Sequence, residues 1–187
     1  MITAAGYALR PATRADAAEL ARLYADHARY EKAAPPHPDA VAALLDAAAG
    51  PAPRAWALVA QPPGARGAPG GQLAGYAAYS LEFAAWSVRE YVHLDCLYLD
   101  AEHRGKGVGA ALLDEVAAHA GRLGAPRVEW QTPDWNEGAV RFYRRYGARG
   151  LAKVRFSLPL PAPVPPADPA PGGSVSRTPT PPPGDQQ

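Results

Sequence analysis

Glycines at alternate positions in Arg104-Gly105-Lys106-Gly107-Val108-Gly109 constrain this chain more than any other feature of it. Ahead of them, Val92-His93-Leu94-Asp95-Cys96-Leu97-Tyr98-Leu99 is rich in β-formers that alternate imperfectly. Behind them, Ala110 to Arg122 has the spacing of an amphipathic helix. The run therefore predicts a strand-to-helix turn stripped of side chains, whose successive N–H groups can face one ligand. First-turn amides and the positive end of the helix dipole attract phosphate, and Arg104 and Lys106 add charge at the rim. A pyrophosphate suits such a turn. Spacing excludes two other phosphate loops. The Gly-x-x-x-x-Gly-Lys-Ser/Thr string of a P-loop is absent. The last step, Gly107 to Gly109, is too short for the Gly-x-Gly-x-x-Gly dinucleotide fingerprint.

A second constellation lies downstream, in Asp134-Trp135-Asn136-Glu137-Gly138-Ala139-Val140-Arg141-Phe142-Tyr143-Arg144-Arg145-Tyr146-Gly147-Ala148. Asn136 can cap a helix, Phe142 and Tyr146 share one face of it, and Gly147 sits where it must end in the left-handed region. Arg-Gly-x-Gly-x-Gly resembles the pyrophosphate loop of the GNAT superfamily of N-acetyltransferases. Asn136, Ala139, Phe142, Tyr143 and Gly147 resemble that superfamily's second signature, in the right order and each after an apolar strand. The resemblance covers about residues 7–158. It implies an α/β (α+β) fold: a mixed, twisted sheet of six to seven strands, helices on both faces, and a splay between the central strands.

The chain itself reads as a β-α-α-β-β-β-α-β-α-β order. Tyr7 to Arg10 predicts a first strand. Thr13 with Asp16 starts a helix reaching Tyr30, and Asp39 to Ala48 is a second, after the breakers Pro35, Pro36 and Pro38. Ala55 to Ala60 and Leu73 to Phe83 flank a glycine-rich loop from Gln61 to Gly71 as antiparallel strands. Tyr91 to Leu99 precedes the glycine turn, Arg127 to Gln131 follows the third helix, and Lys153 to Leu158 is expected to close the sheet. Residues 1–6 read as a flexible N-terminus and 7–158 as the domain. Half of the 22 prolines follow Ser157, so 159–187 reads as a disordered Pro-rich tail.

Composition narrows the function. A length of 187 residues with 48% hydrophobic content supports one domain with a core. A net charge of +1 gives no signature for bulk nucleic acid. No stretch approaches the roughly 20 apolar residues of a membrane span, and the start lacks the pattern of a leader. Cys96 is the only cysteine and reads as a small core hydrophobe, which suits a reducing cytoplasm. These features predict a cytoplasmic protein, and no metal is expected. The sequence does not give the oligomeric state, and the resemblance implies only that a homodimer is possible, dimers being common for that fold.

The resemblance implies acetyl-CoA as co-substrate and an amine as acceptor. Backbone groups of Leu97, Tyr98 and Leu99 would pair with the pantetheine arm. Arg104, Gly105, Lys106, Gly107, Val108, Gly109 and Ala110 would hold the pyrophosphate, and Asn136 would contact the arm. Tyr143 would be the general acid at the sulfur, where otherwise it is a packed aromatic beside Phe142. The amine must lose a proton first, because an ammonium is not nucleophilic. Asp95, a lone acid among apolar neighbours, is the leading base. His93, with its near-neutral pKa, is its rival.

Within the superfamily the likeness is to diamine (spermidine/spermine-type) acetyltransferases. It is carried by Leu9-Arg10-Pro11-Ala12-Thr13, Ala28-Arg29-Tyr30-Glu31, Asp134-Trp135-Asn136-Glu137 and Phe142-Tyr143-Arg144-Arg145. It implies that Glu31, Glu82 and Asp95 bind a polycation, with Tyr30 and Trp86 stacking on it. Leu94-Asp95-Cys96 stands where that family has Leu-Glu-Asp. Two alternatives remain open at this level. One is an aminoglycoside-type antibiotic or amino-acid derivative as acceptor, the other a non-catalytic acetyl-CoA-binding module.

Overall fold

A hydrogen-bonded corner opens the domain. Arg10 clamps Asp16 through two 2.7 Å bonds, and the amide and hydroxyl of Thr13 donate to the same carboxylate at 2.8 and 2.9 Å. Asp16 is wholly buried. Burial raises its pKa, but Arg10, Gly70 and Thr13 outweigh that and hold it well below the usual carboxylate range. The corner joins strand β1 (Ala8–Pro11) to a 3₁₀ turn and helix α1 (Ala17–Glu31). Lys32 ends α1 in the left-handed region, at φ 55°.

Helix α2 (Ala40–Ala49) follows, then strands β2 (Ala55–Gln61), β3 (Gly75–Ala84) and β4 (Arg89–Leu99). Helix α3 (Val108–Arg122), strand β5 (Val128–Trp130) and helix α4 (Glu137–Tyr146) complete the order. The computed structural model describes residues 1–34, 36–65 and 70–158. Pro35, part of the glycine loop and the Pro-rich tail from 159 lie outside the described residues. The chain divides into two units, Met1–Gly150 and Leu151–Gln187.

The sheet runs β1-β2-β3-β4-β5. The first four strands form an antiparallel meander, and β4 pairs with β5 in parallel across the α3 crossover. Helices cover both faces. Leu20 and Leu23 of α1 and Val41 and Leu45 of α2 pack on Val59, Tyr76, Ala78 and Tyr98. Val108, Leu112, Leu113 and Val116 of α3 pack on Ala77, Tyr79, Val92 and Leu94, with Phe142, Tyr143 and Tyr146 of α4 beside them. Each fully buried leucine contributes about 1.5–3 kcal/mol. β3 approaches β4 so closely that a Cβ on Gly75 would lie 2.3 Å from the Tyr98 carbonyl oxygen.

One expectation is corrected. Among the described residues the sheet has five strands rather than six or seven, and residues 151–158 carry no helix or strand. Val154, Phe156 and Leu158 alternate as a strand would, yet all are exposed. Alternation shows only that a segment can be a strand. A ladder partner makes it one.

Two irregularities in β4 position the site. Ala78 pairs with Cys96 and Tyr79 with Leu94, so Asp95 is an extra residue in a β-bulge. The parallel ladder to β5 ends at Leu94–Trp130, whereas β4 continues to Leu99. Beyond the bulge, no described strand pairs with the β5-side edge of β4.

Candidate active site

The open edge of β4 leads straight into the glycine turn. Gly105 and Gly107 have φ of 74° and 79°, a conformation that only glycine adopts cheaply. Gly107 is the N-cap of α3, so the amides of the first turn, from Val108, point away from the helix into the turn. Gly109 has a different reason to be glycine. A Cβ there would lie 3.3 Å from the Phe142 ring and 3.6 Å from Leu99. Arg104 to Gly107 are exposed. The Arg104 guanidinium turns back over the rings of Tyr30 and Tyr98, at 4.5 and 5.5 Å, and its Nε donates to the Leu99 carbonyl at 2.9 Å.

Helix α4 brings Tyr143 to the mouth of the splay. Its ring lies 5.1 Å from that of Trp130, the last β5 residue in the ladder, and 5.1 Å from Phe142. Burial pushes its hydroxyl up to about 12, and Glu31 and Cys96 push in the same direction. Tyr143 therefore keeps its proton throughout the neutral range. Asn136 is buried, and its Oδ1 caps α4 by accepting from the Ala139 amide at 3.2 Å. The Tyr30 hydroxyl donates to that same oxygen at 3.2 Å. The end of α1, the glycine turn and the start of α4 thus meet around Tyr30.

The α1 side of the splay is aromatic. Tyr24 stacks on Tyr76 at 4.7 Å, and His27 stacks on Tyr98 at 5.0 Å. His27 Nδ1 lies 2.9 Å from the Tyr76 hydroxyl, and its Nε2 lies 3.4 Å from Glu31 Oε1. Burial raises Tyr76 well above the ordinary tyrosine value and pushes the Cys96 thiol up to about 12. Cys96 thus keeps its proton at neutral pH. Asp95 is not the buried acid its neighbours suggest. As the bulged residue it turns outward, and its side chain is 72% exposed. His93 is 17% exposed, with Nε2 3.9 Å from Asp95 Oδ1.

Two of the expected acceptor residues lie elsewhere within the chain. Glu82 pairs with Tyr91, four positions before the bulge and roughly 13 Å along the strand. Its carboxylate accepts from the Tyr91 and Ser80 hydroxyls. Trp86 is fully exposed in the β3–β4 turn. Sequence reasoning missed His27, Tyr24 and Tyr76. The one available signal was the spacing of His27 and Glu31, which puts both on one helix face. Among the described residues, no group of three or more His, Cys, Asp or Glu could hold a metal ion.

The model of the acetyltransferase (GNAT) family matches residues 18–148. The thialysine N-epsilon-acetyltransferase of Bos taurus is 30% identical over 147 residues, covering 78% of this chain and 86% of that protein. The L-ornithine N5-acetyltransferase of Arabidopsis thaliana is 32% identical over 77 residues, covering 41% of this chain and 34% of that one. Among solved structures, an aminoglycoside acetyltransferase from an uncultured soil metagenomic sample superposes with a TM-score of 0.65 at 16% identity. It covers 83% of this chain and 97% of that one, and it speaks for the fold alone. The chain belongs to the GNAT family, and it is an N-acetyltransferase. The family implies acetyl-CoA as co-substrate. No helix among the described residues is long and apolar enough to cross a membrane.

Proposed function

We propose that the protein transfers an acetyl group from acetyl-CoA to a primary amine of a small molecule that carries a second cationic group, of the di- or polyamine kind. The observation that carries the donor half is the junction of an unpaired β4 edge with a side-chain-free helix start. The fit to the donor is one of shape and charge. Gly105 and Gly107 have nothing within 4 Å of where a Cβ would stand, which leaves room for a diphosphate against the first-turn amides of α3. Backbone groups of Leu97, Tyr98 and Leu99 offer the ladder that a pantetheine amide can complete.

Acetyl-CoA supplies an activated thioester. Tyr143 holds a proton for the sulfur, and the ring of Trp130 packs against its own. Asn136, with its oxygen already used twice, has its amide hydrogens to offer. Glu31 and Asp95 provide two carboxylates on the acceptor side, suited to a cation with more than one ammonium. A second reading has the side-chain amine of a basic amino acid as acceptor. The relatives that act on thialysine and L-ornithine favour it. A panel of monoamines, diamines and basic amino acids, assayed for CoA release, tests both. Equal rates for monoamines and diamines of one chain length would refute the first.

A further inference from the structure

Glu31 stands where a carboxylate is least at home. It is the last residue of α1, at the negative end of the helix dipole, and Lys32 ends the helix after it. Among the described residues no lysine or arginine lies within ion-pairing distance of it. Its partner there is His27, one helical turn earlier, whose Nε2 lies 3.4 Å from Glu31 Oε1.

His27 is held more firmly than the carboxylate. Its side chain is 12% exposed, against 33% for Glu31. Its ring stacks on that of Tyr98 at 5.0 Å, on the strand whose edge is open beyond the bulge. Nδ1 meets the Tyr76 hydroxyl at 2.9 Å. One placement of hydrogens serves every group: the Tyr76 hydroxyl donates to Nδ1, and Nε2–H donates to Glu31. The other neutral tautomer would set the Nε2 lone pair against a carboxylate oxygen, two acceptors with no hydrogen between them. Burial holds the imidazole below its ordinary pKa. At neutral pH it is therefore an uncharged donor, and the charge on Glu31 stays whole.

We infer that His27 is a positioning residue for acceptor specificity: it holds Glu31 Oε1 and so presents Oε2 to the ammonium of the acceptor remote from the nitrogen acetylated. This inference rests on the polyamine reading above and names the residue that sharpens it. A carboxylate loose at a helix end gives up rotamer freedom when it grips a cation. One already tied to a rigid ring gives up less, so the grip is tighter. The tie acts on a contact with the second ammonium, while bond making at the first falls to other groups. Tyr76, by giving its hydrogen to Nδ1, keeps the histidine hydrogen on Nε2, where Glu31 needs it.

Two measurements test this. The first needs no activity: long-range ¹H–¹⁵N correlation on histidine-labelled protein, with His27 assigned by its loss in His27→Gln. The Nε2–H tautomer is expected, and an Nδ1–H tautomer overturns the inference. The second compares steady-state kinetics for putrescine and n-butylamine, a diamine and a monoamine of one chain length. Glutamine carries an amide N–H near the position of Nε2, whereas asparagine reaches only that of Nδ1. His27→Asn should raise KM for putrescine about 10-fold relative to that for n-butylamine, with a smaller effect on kcat. His27→Gln should keep most of the preference for the diamine, which a merely structural role does not predict. In a Glu31→Gln background, His27→Asn should cost that preference nothing further. His27→Leu serves if the asparagine variant does not fold. A preference kept in the folded variant that lacks the donor, or lost alike in that variant and His27→Gln, overturns the inference alone. An unmutated protein that treats the two amines alike, or acetylates neither, overturns the polyamine reading and this inference with it.

Discussion

Substituting Gly107 separates charge at the glycine turn from backbone strain there. Gly107 has φ 79° and nothing within 4 Å of where a Cβ would stand. Alanine therefore clashes with nothing and costs only the left-handed conformation, about 1–2 kcal/mol. That corresponds to a fall of about 2–8 °C in Tm for a domain of this size. Aspartate tolerates the left-handed region better than alanine, so Gly107→Asp should melt no lower than Gly107→Ala. For acetyl-CoA the order should reverse. A carboxylate at the N-cap of α3 faces a bound diphosphate. Each close pair of like charges costs about 1–4 kcal/mol, depending on the local dielectric. That is a loss of about 5-fold to about 1000-fold in affinity for Gly107→Asp beyond that of Gly107→Ala. Calorimetric titration with acetyl-CoA, alongside thermal melts, reads both quantities. Equal affinities for the two variants would refute the reasoning, since a pyrophosphate in this turn must feel the added charge.

Other perturbations address the remaining parts of the site. Tyr143→Phe keeps the ring against Trp130 and Phe142 and removes the hydroxyl. It should lower kcat about 10²–10⁴-fold with little change in acetyl-CoA affinity, as read by steady-state kinetics with calorimetry. Glu31→Gln should raise KM for diamines more than for monoamines of the same length, while Asp95→Asn, at the bulge, should lower kcat for both. The amine panel measures that split. Asp16 has a folded pKa depressed by Arg10 and its other partners, so its contribution to stability is full above the unfolded value near 4. It should fade as pH falls below that toward the folded value. Asp16→Asn should therefore cost about 3–5 kcal/mol at neutral pH in urea unfolding and flatten the acid limb.

Local chemistry made most of this fold legible. The Thr13–Asp16 start, the Asn136 cap and Gly147 as terminator each appear where their side chains or backbone dictate, and Gly147 has φ 105°. The glycine turn was readable for the same reason, because its demands are met within six residues. Lys153 to Leu158 was misread because pairing, not alternation, makes a strand. The outward turn of Asp95 was not readable either, since the bulge exists only in the register between β3 and β4. His27 escaped notice because its meaning depends on Tyr76, distant in sequence and brought to it by packing of α1 on the sheet. Trp86 and Glu82 were grouped with the site through likeness of strings, which says nothing of distance along a hairpin.

The most direct test of the account is mass spectrometry of a mixture of small amines incubated with acetyl-CoA and the purified protein. The account predicts that di- or polyamines gain a single acetyl group on a primary nitrogen, with one CoA released for each, and that Tyr143→Phe slows that gain. A mixture left unacetylated by a folded protein that binds acetyl-CoA would contradict it.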